Sequence, residues 1–249
     1  MSTPALGSDQ PFYEAKAAVY RHAENPVVLR QVLACLPPGG RVLDVGCGSG
    51  VLLRHLAGHA GYRAGVELST TAAAAAARVA DRVVNSPVTA PLPFEPASFD
   101  VVVCADILEH LPEPGPALET VAALCRPGGA VVISVPNVAN WQARLRLLRG
   151  VWRYEPTGLF DTGHLRFLTR ETLFELVEQS GLTVESCLPA RLPHLGVQVP
   201  AVMRLPRAVR FVLAWSWGVA GYRLALLRPT LFAYQLVCTA RRPVFRGDG

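Results

Sequence analysis

One stretch constrains this chain more than any other: Arg41-Val42-Leu43-Asp44-Val45-Gly46-Cys47-Gly48-Ser49-Gly50. Val42, Leu43 and Val45 form the continuous apolar run expected of a strand buried on both faces, and three alternating glycines follow it directly. Gly46, Gly48 and Gly50 allow backbone angles closed to other residues and a close approach of a ligand to the main chain, while a helix opening at Val51 presents unpaired N–H groups. Asp44 is the anomaly. A charge near the carboxyl end of a buried strand fits a group aimed at a ligand in the crevice where open α/β sheets bind them. The stretch therefore predicts a nucleotide-type site at a strand-to-helix turn.

The rest of the chain alternates in the same way. Strands are expected over 62–67, 82–85, 99–104, 130–135 and 182–188, with helices over 51–59, 116–124, 141–148 and 169–180 and an alanine-rich one starting at Ser69 or Thr70. Pro37-Pro38-Gly39-Gly40 leads into the first strand, Arg126-Pro127-Gly128-Gly129 reads as a turn, and Gly181 ends a helix. Strands alternating with helices require a parallel sheet with right-handed crossovers, so the fold class is α/β and doubly wound, Rossmann-like. The run 231–241 alternates enough to add a last, antiparallel strand. Upstream, 12–36 suggests one or two helices broken near Asn25-Pro26, and 1–10 reads as a disordered leader without the features of a signal peptide.

We expect a single domain over 1–249, composed of an N-terminal helical segment (1–37), a core that binds the ligand (38–135), an insertion (136–167) and a C-terminal part (168–249). The insertion leaves from the edge where sites form and is rich in arginine and aromatics. Trp141, Trp152 and Tyr154 are read either as an apolar substrate wall or as core, with Arg144, Arg149, Arg153 or Arg166 available to an acidic group. Residues 189–228 are expected to be cap-like. Within them 207–227 is apolar, but Arg210 and Arg223 leave too few uncharged residues between them to cross a bilayer, and Arg204, Arg207 and Arg210 recur on one helical face.

Charge and cysteine use narrow the partners. Residues 1–140 hold 9 Lys/Arg and 12 Asp/Glu, whereas 141–249 hold 15 Arg and 7 Asp/Glu. That basic C-terminal part fits an acidic substrate, a membrane surface, a nucleic acid or simply a solvated arginine surface. No recognised nucleic-acid module interleaves with the arginines, so nucleic acid is not expected. The six cysteines are scattered, without a C-x-x-C pair and without histidines at metal-ligand spacing. A reduced, cytoplasmic protein with no metal is expected.

The glycine loop departs from a dinucleotide fingerprint, since Val51 stands where its third glycine belongs. Instead, Val42 to Gly50, Gly65-Val66-Glu67-Leu68-Ser69, Leu92-Pro93-Phe94 with Ser98-Phe99-Asp100, Leu108-Glu109-His110-Leu111 and Arg126-Pro127-Gly128-Gly129 follow one another in the order found in class I S-adenosylmethionine-dependent methyltransferases. The chain resembles that family over about 38–188, and more narrowly its UbiG-like and MetW-like group. Pro136-Asn137-Val138-Ala139-Asn140-Trp141 and Gly163-His164-Leu165-Arg166-Phe167-Leu168-Thr169 resemble segments of the narrower group.

The resemblance implies a seven-stranded sheet whose last strand is antiparallel, and S-adenosyl-L-methionine as cofactor. It implies that Asp44 and the backbone of Gly46, Cys47 and Gly48, in a loop closed by Gly50, hold the methionine part, Glu67 the ribose hydroxyls and Leu68 an adenine face. Ala105 would lie near the sulfonium, and Ser86 stands where many relatives carry the aspartate that receives the adenine amino group. Transfer to a hydroxyl needs a base, and His110 and His164 are the candidate catalytic residues. The expected function is O-methylation of a small-molecule acceptor with an acidic or lipid-like part, with peripheral membrane contact, no transmembrane span and an open oligomeric state. A non-catalytic cofactor-binding partner subunit and an NAD-dependent oxidoreductase are the rival readings.

Overall fold

Seven strands make the sheet: β1 (Arg41–Val45), β2 (Tyr62–Glu67), β3 (Arg82–Asn85), β4 (Phe99–Ala105), β5 (Cys125–Pro136), β6 (Thr183–Arg191) and β7 (Gln235–Arg241). In this computed structural model residues 25–191 and 223–244 are described, together with Pro11, Glu14 and Gly221. The order across the sheet is β3-β2-β1-β4-β5-β7-β6. β1 pairs in parallel with β2 and β4, β2 with β3, and β4 with β5, whereas β7 runs antiparallel between β5 and β6. This is the doubly wound α/β sheet with an antiparallel last strand that the sequence predicts.

Both faces are covered, so alternate residues of one strand enter different cores. Leu43, Val45, Val102, Cys104, Val131 and Ile133 pack with Leu118 and Val121 of helix α4 (Pro114–Leu124) and Leu173 and Val177 of α6 (Arg170–Gln179). On the opposite face, Val42, Val101, Val103 and Val132 meet Val28 and Val32 of α1 (Pro26–Cys35), Leu53 of α2 (Val51–His55) and Ala76 of α3 (Thr70–Ala76). Between strand and helix, α5 (Trp141–Leu148) begins the insertion.

Helix starts follow local chemistry. The Asn25 side chain accepts from the N–H groups of Val27 and Val28, Ser69 from Ala72, Asn140 from Gln142 and Ala143, and Thr169 forms a capping box with Thr172.

Several boundaries differ from expectation. The glycines of 126–129 do not break the chain: β5 already begins at Cys125, which pairs with Phe99, and the irregularity is absorbed as a register shift between Phe99 and Val101. A Cβ on Gly129 would stand 2.8 Å from the Asp100 carbonyl oxygen, so the strands approach too closely there for a side chain. α2 ends at His55 rather than 59. β6 extends to Arg191, taking in Pro189 and Ala190, because β7 supplies partners along that length. The last strand starts at Gln235, after a short turn of helix at Pro229–Phe232. Expectations for 1–10, for most of 12–24 and for 192–220 lie outside the described residues.

Candidate cofactor and acceptor site

The loops after β1, β2 and β4 leave the sheet at one edge, because Val45 pairs with both Val66 and Cys104. At the first of them the N–H groups of Gly46 and Cys47 both donate to the Val66 carbonyl, at 2.8 and 3.0 Å. Gly46 has φ +74, and a Cβ there would lie 2.0 Å from Ile107 Cδ1. The loop after β1 is therefore packed directly against the loop after β4, with no room for a side chain between them.

Glu67 closes the tip of β2. Its carboxylate accepts from the Gly48 N–H at 2.8 Å and from the Ser69 N–H at 2.7 Å, while burial, opposed by these donors, raises its pKa. Asp44 is 5% exposed; burial, with Glu67 nearby, pushes its carboxyl up to about 7. Two carboxyls thus line one cavity together with the glycine loop after β1. That donor set fits S-adenosylmethionine: an acid suited to its ammonium, a second suited to its ribose hydroxyls, and glycines that let it approach.

Leu68, Ser86 and Ala105 line the same cavity, and so do Gly46, Cys47 and Gly48. Cys47 faces away from reactivity: its sulfur packs where a Cβ on Gly65 would lie, 2.6 Å off, and burial drives its thiol pKa far up. Gly50 does not line the cavity. It caps α2 at φ +78, and a Cβ there would press on Val79 Cγ2 at 2.7 Å. Asn85 was not singled out from sequence, yet its amide donates to the Glu67 and Leu68 carbonyls at 2.8 and 2.9 Å and so sets the loop that carries both. Glu14 accepts from Ser69 Oγ at 2.8 Å and from the Thr70 N–H at 2.6 Å, joining the N-terminal segment to the start of α3.

The other end of the cavity is acidic and imidazole-rich. Asp106 follows β4 at φ 56. Its Oδ1 accepts from Ser134 Oγ at 3.1 Å and from the Gln235 amide; Gln235 Oε1 in turn accepts from Asn25 Nδ2 at 3.1 Å. A single 3-10 turn, Leu108–His110, comes next. The insertion is stapled to it, since the N–H groups of Leu165 and Arg166 donate to the Glu109 backbone carbonyl at 2.8 and 3.0 Å.

His110 and His164 meet here, with ring centroids 4.8 Å apart. Nδ1–H of His110 donates to the Gly163 carbonyl and that of His164 to the Leu159 carbonyl, both at 2.9 Å. Burial holds the His110 pKa below the ordinary imidazole value. Glu109 completes the group: it is 2% exposed, and among the described residues neither carboxyl oxygen has a hydrogen-bond partner. Burial first, then Asp106 and Asp161, raise its pKa well above the usual range.

The insertion's aromatics do not line the cavity. Trp152 packs edge-on against Phe160 and Phe167, at 4.9 and 4.8 Å, while it and Tyr154 remain exposed on the outer side of the insertion, so neither is part of a wall of this cavity. Arg146 pairs with Glu155 at 2.7 Å, Arg144 donates to the Ala139 carbonyl and Arg166 to that of Pro112. The aromatic that reaches the cavity is Tyr234, whose hydroxyl accepts from the Leu159 N–H at 2.6 Å. Tyr234 and Gln235 had no signal in sequence beyond their place within the expected strand 231–241. Glu109 lay within the motif Leu108-Glu109-His110-Leu111, but nothing in that motif marks its carboxyl as buried.

Comparison with known proteins agrees with this architecture. A family model described as a methyltransferase domain matches residues 20–187. The ubiquinone biosynthesis O-methyltransferase of Burkholderia pseudomallei (strain K96243) is 30% identical over 203 residues, 78% of this chain and 81% of its own length. That of Aeromonas salmonicida is 33% identical over 155 residues, 59% of this chain, and the chain spans 64% of that relative. Among solved structures, an S-adenosylmethionine-dependent methyltransferase from Archaeoglobus fulgidus superimposes with a TM-score of 0.62 at 19% identity, covering 92% of this chain and 99% of that one. With a family match over more than half of the chain, the nicotinamide alternative falls away, and the chain belongs to the class I S-adenosylmethionine-dependent methyltransferases.

Proposed function

We propose that the chain methylates a hydroxyl oxygen of a small acceptor bound at the Glu109–His164 end of the cavity. One observation carries this reading: a single cavity of about 420 Å³ is lined by Asp44 and Glu67, by Ala105, and by Glu109, His110 and His164. The cofactor residues and a group of proton-accepting side chains share one space. S-adenosylmethionine supplies an electrophilic methyl group, and in-line transfer asks the protein for alignment and, at a hydroxyl, for removal of a proton.

In this reading Asp44 and the Gly46–Gly48 backbone hold the methionine part, Glu67 the ribose hydroxyls, and Leu68 and Ser86 border the adenine. Ala105 is small enough to leave the reacting carbon open to the acceptor. Val28, Leu29, Ile107, Leu111 and Tyr234 give the cavity apolar walls, suited to an aromatic ring or a lipid-like chain bearing the hydroxyl. The hydroxyl docks against His110 and His164, and its proton leaves there. Relatives named as O-methyltransferases support oxygen over nitrogen or carbon.

Peripheral membrane contact belongs to the same reading. Leu147, Leu148, Trp152 and Tyr154 are exposed on the insertion beside the exposed Arg144, Arg149 and Arg153, an apolar and cationic combination suited to an anionic bilayer. Among the described residues no helix is long and apolar enough to cross a membrane. All six cysteines are free, which supports a cytoplasmic, reducing location.

The test is methyl transfer from labelled cofactor into cell extract, with the product's new bond assigned by NMR. An O-methyl product is expected. His110→Ala and His164→Ala should each lower kcat by about 100-fold with cofactor affinity held within about twofold of the parent. A methyl on nitrogen or carbon, or undiminished turnover in the double variant, would refute the assignment.

A further inference from the structure

Glu109 is a buried carboxyl, and neither of its oxygens has a hydrogen-bond partner among the described residues. Such a group is costly to bury unless something compensates it. What surrounds it is informative: one ligating atom each of Glu109, His110 and His164 lies within 4.8 Å of the other two. The two imidazoles are already oriented. Each gives its Nδ1–H to a backbone carbonyl, which fixes the tautomer and puts the lone pair on Nε2, the arrangement by which carbonyls orient metal-bound histidines.

We propose that Glu109, His110 and His164 form a binding site for one divalent transition-metal cation at the acceptor end of the cavity. Two nitrogen donors and one carboxylate select zinc, cobalt, iron or manganese over magnesium or calcium, which take oxygen ligands. Metal–ligand bonds of about 2.0–2.2 Å bring donors to roughly 3–3.5 Å from one another, so binding draws the three side chains together from their present spacing. Because all three line the cavity, the remaining coordination positions are open to an acceptor oxygen. The cation also ties the insertion, which carries His164, to the turn after β4, which carries Glu109 and His110.

The site deepens the O-methylation reading and rests on it only for its consequence. With a cation bound, the Nε2 atoms of His110 and His164 act as ligands rather than as proton acceptors; the cation instead polarises the acceptor hydroxyl and lowers its pKa, so that the proton passes to solvent before the oxygen attacks. Metal binding itself is independent of the acceptor and is tested without it.

The full chain, stripped with a chelator, is titrated with Zn²⁺ by calorimetry and with Co²⁺ by visible absorption. Saturation at one equivalent is expected, together with a higher melting temperature. Glu109→Gln and His164→Asn should each weaken the affinity by about 100-fold or more, and unchanged S-adenosylmethionine binding in both variants would show that they are folded. Absence of saturable binding overturns the site, as does one-to-one binding that survives both substitutions. If the acceptor atom proved to be nitrogen or carbon, the product spectrum would show it while the metal titration stood unchanged.

Discussion

Asp44 carries the chemistry of the site in one side chain. Its folded pKa of about 7 lies above the ordinary aspartate value of 3.8. Between those values the native state binds a proton that the unfolded chain does not, so this group's contribution to stability falls as pH rises through the window and is fully lost above about 7. A cation placed against the carboxylate reverses the balance. At pH 6 cofactor binding should release nearly one proton, read by calorimetry as an enthalpy that varies with the buffer's ionisation enthalpy, and at pH 8 the variation should vanish. Asp44→Asn removes the buried charge while keeping the shape, so the cofactor-free variant should melt higher at pH 8. Losing one charge-assisted contact of about 1.5–3 kcal/mol should weaken cofactor binding roughly 10- to 100-fold. Equal affinity in parent and variant would remove Asp44 from the cofactor site.

At the scale of elements, much was legible because it is decided locally. Apolar runs marked β1 and β4, and Ser69 and Thr169 marked helix starts because a capping oxygen bonds N–H groups only two or three residues away; Asn25, read only as a break before Pro26, caps the helix that follows it. The length of β6 and the start of β5 were not legible, since each is set by the pairing of a strand distant in sequence. The glycine loop shows both sides of this. Its freedom at φ +74 was expected of Gly46, but its contact with Ile107 depends on β1 and β4 being neighbours. Gly46→Ala meets two obstacles, a left-handed backbone costing about 1–2 kcal/mol and the Ile107 side chain. Cofactor affinity should drop by more than about tenfold. Adding Ile107→Ala relieves the clash and not the backbone, so titration of the double variant should recover part of the loss. Full recovery would mean that the backbone angle carries no cost.

Across the whole molecule, the acceptor end is assembled from segments with no local relation. His110 and His164 were each legible as candidates, yet their meeting, and the burial of Glu109 beside them, follow from the insertion folding back onto the turn after β4. Gln235 is the extreme case. As the first residue of β7 it lies beside Pro136 of β5, and its side chain joins Asn25, the cap of α1, to Asp106 and Ser134 at the cavity. Asp106 is held at a positive φ, a conformation that persists only where surrounding contacts fix it. Gln235 is therefore read as a positioning residue: it touches the site through Asp106 and links it to the N-terminal helix. Gln235→Leu removes both links while keeping a similar volume, and should lower kcat about tenfold with cofactor affinity almost unchanged. Gln235→Glu sets a second acid against Asp106 and should be worse near neutral pH, with activity recovering as pH falls and one of the pair takes a proton. A structural role alone would depress melting temperature and cofactor affinity together, without this dependence on pH, so the two variants compared across pH separate positioning from simple loss of fold.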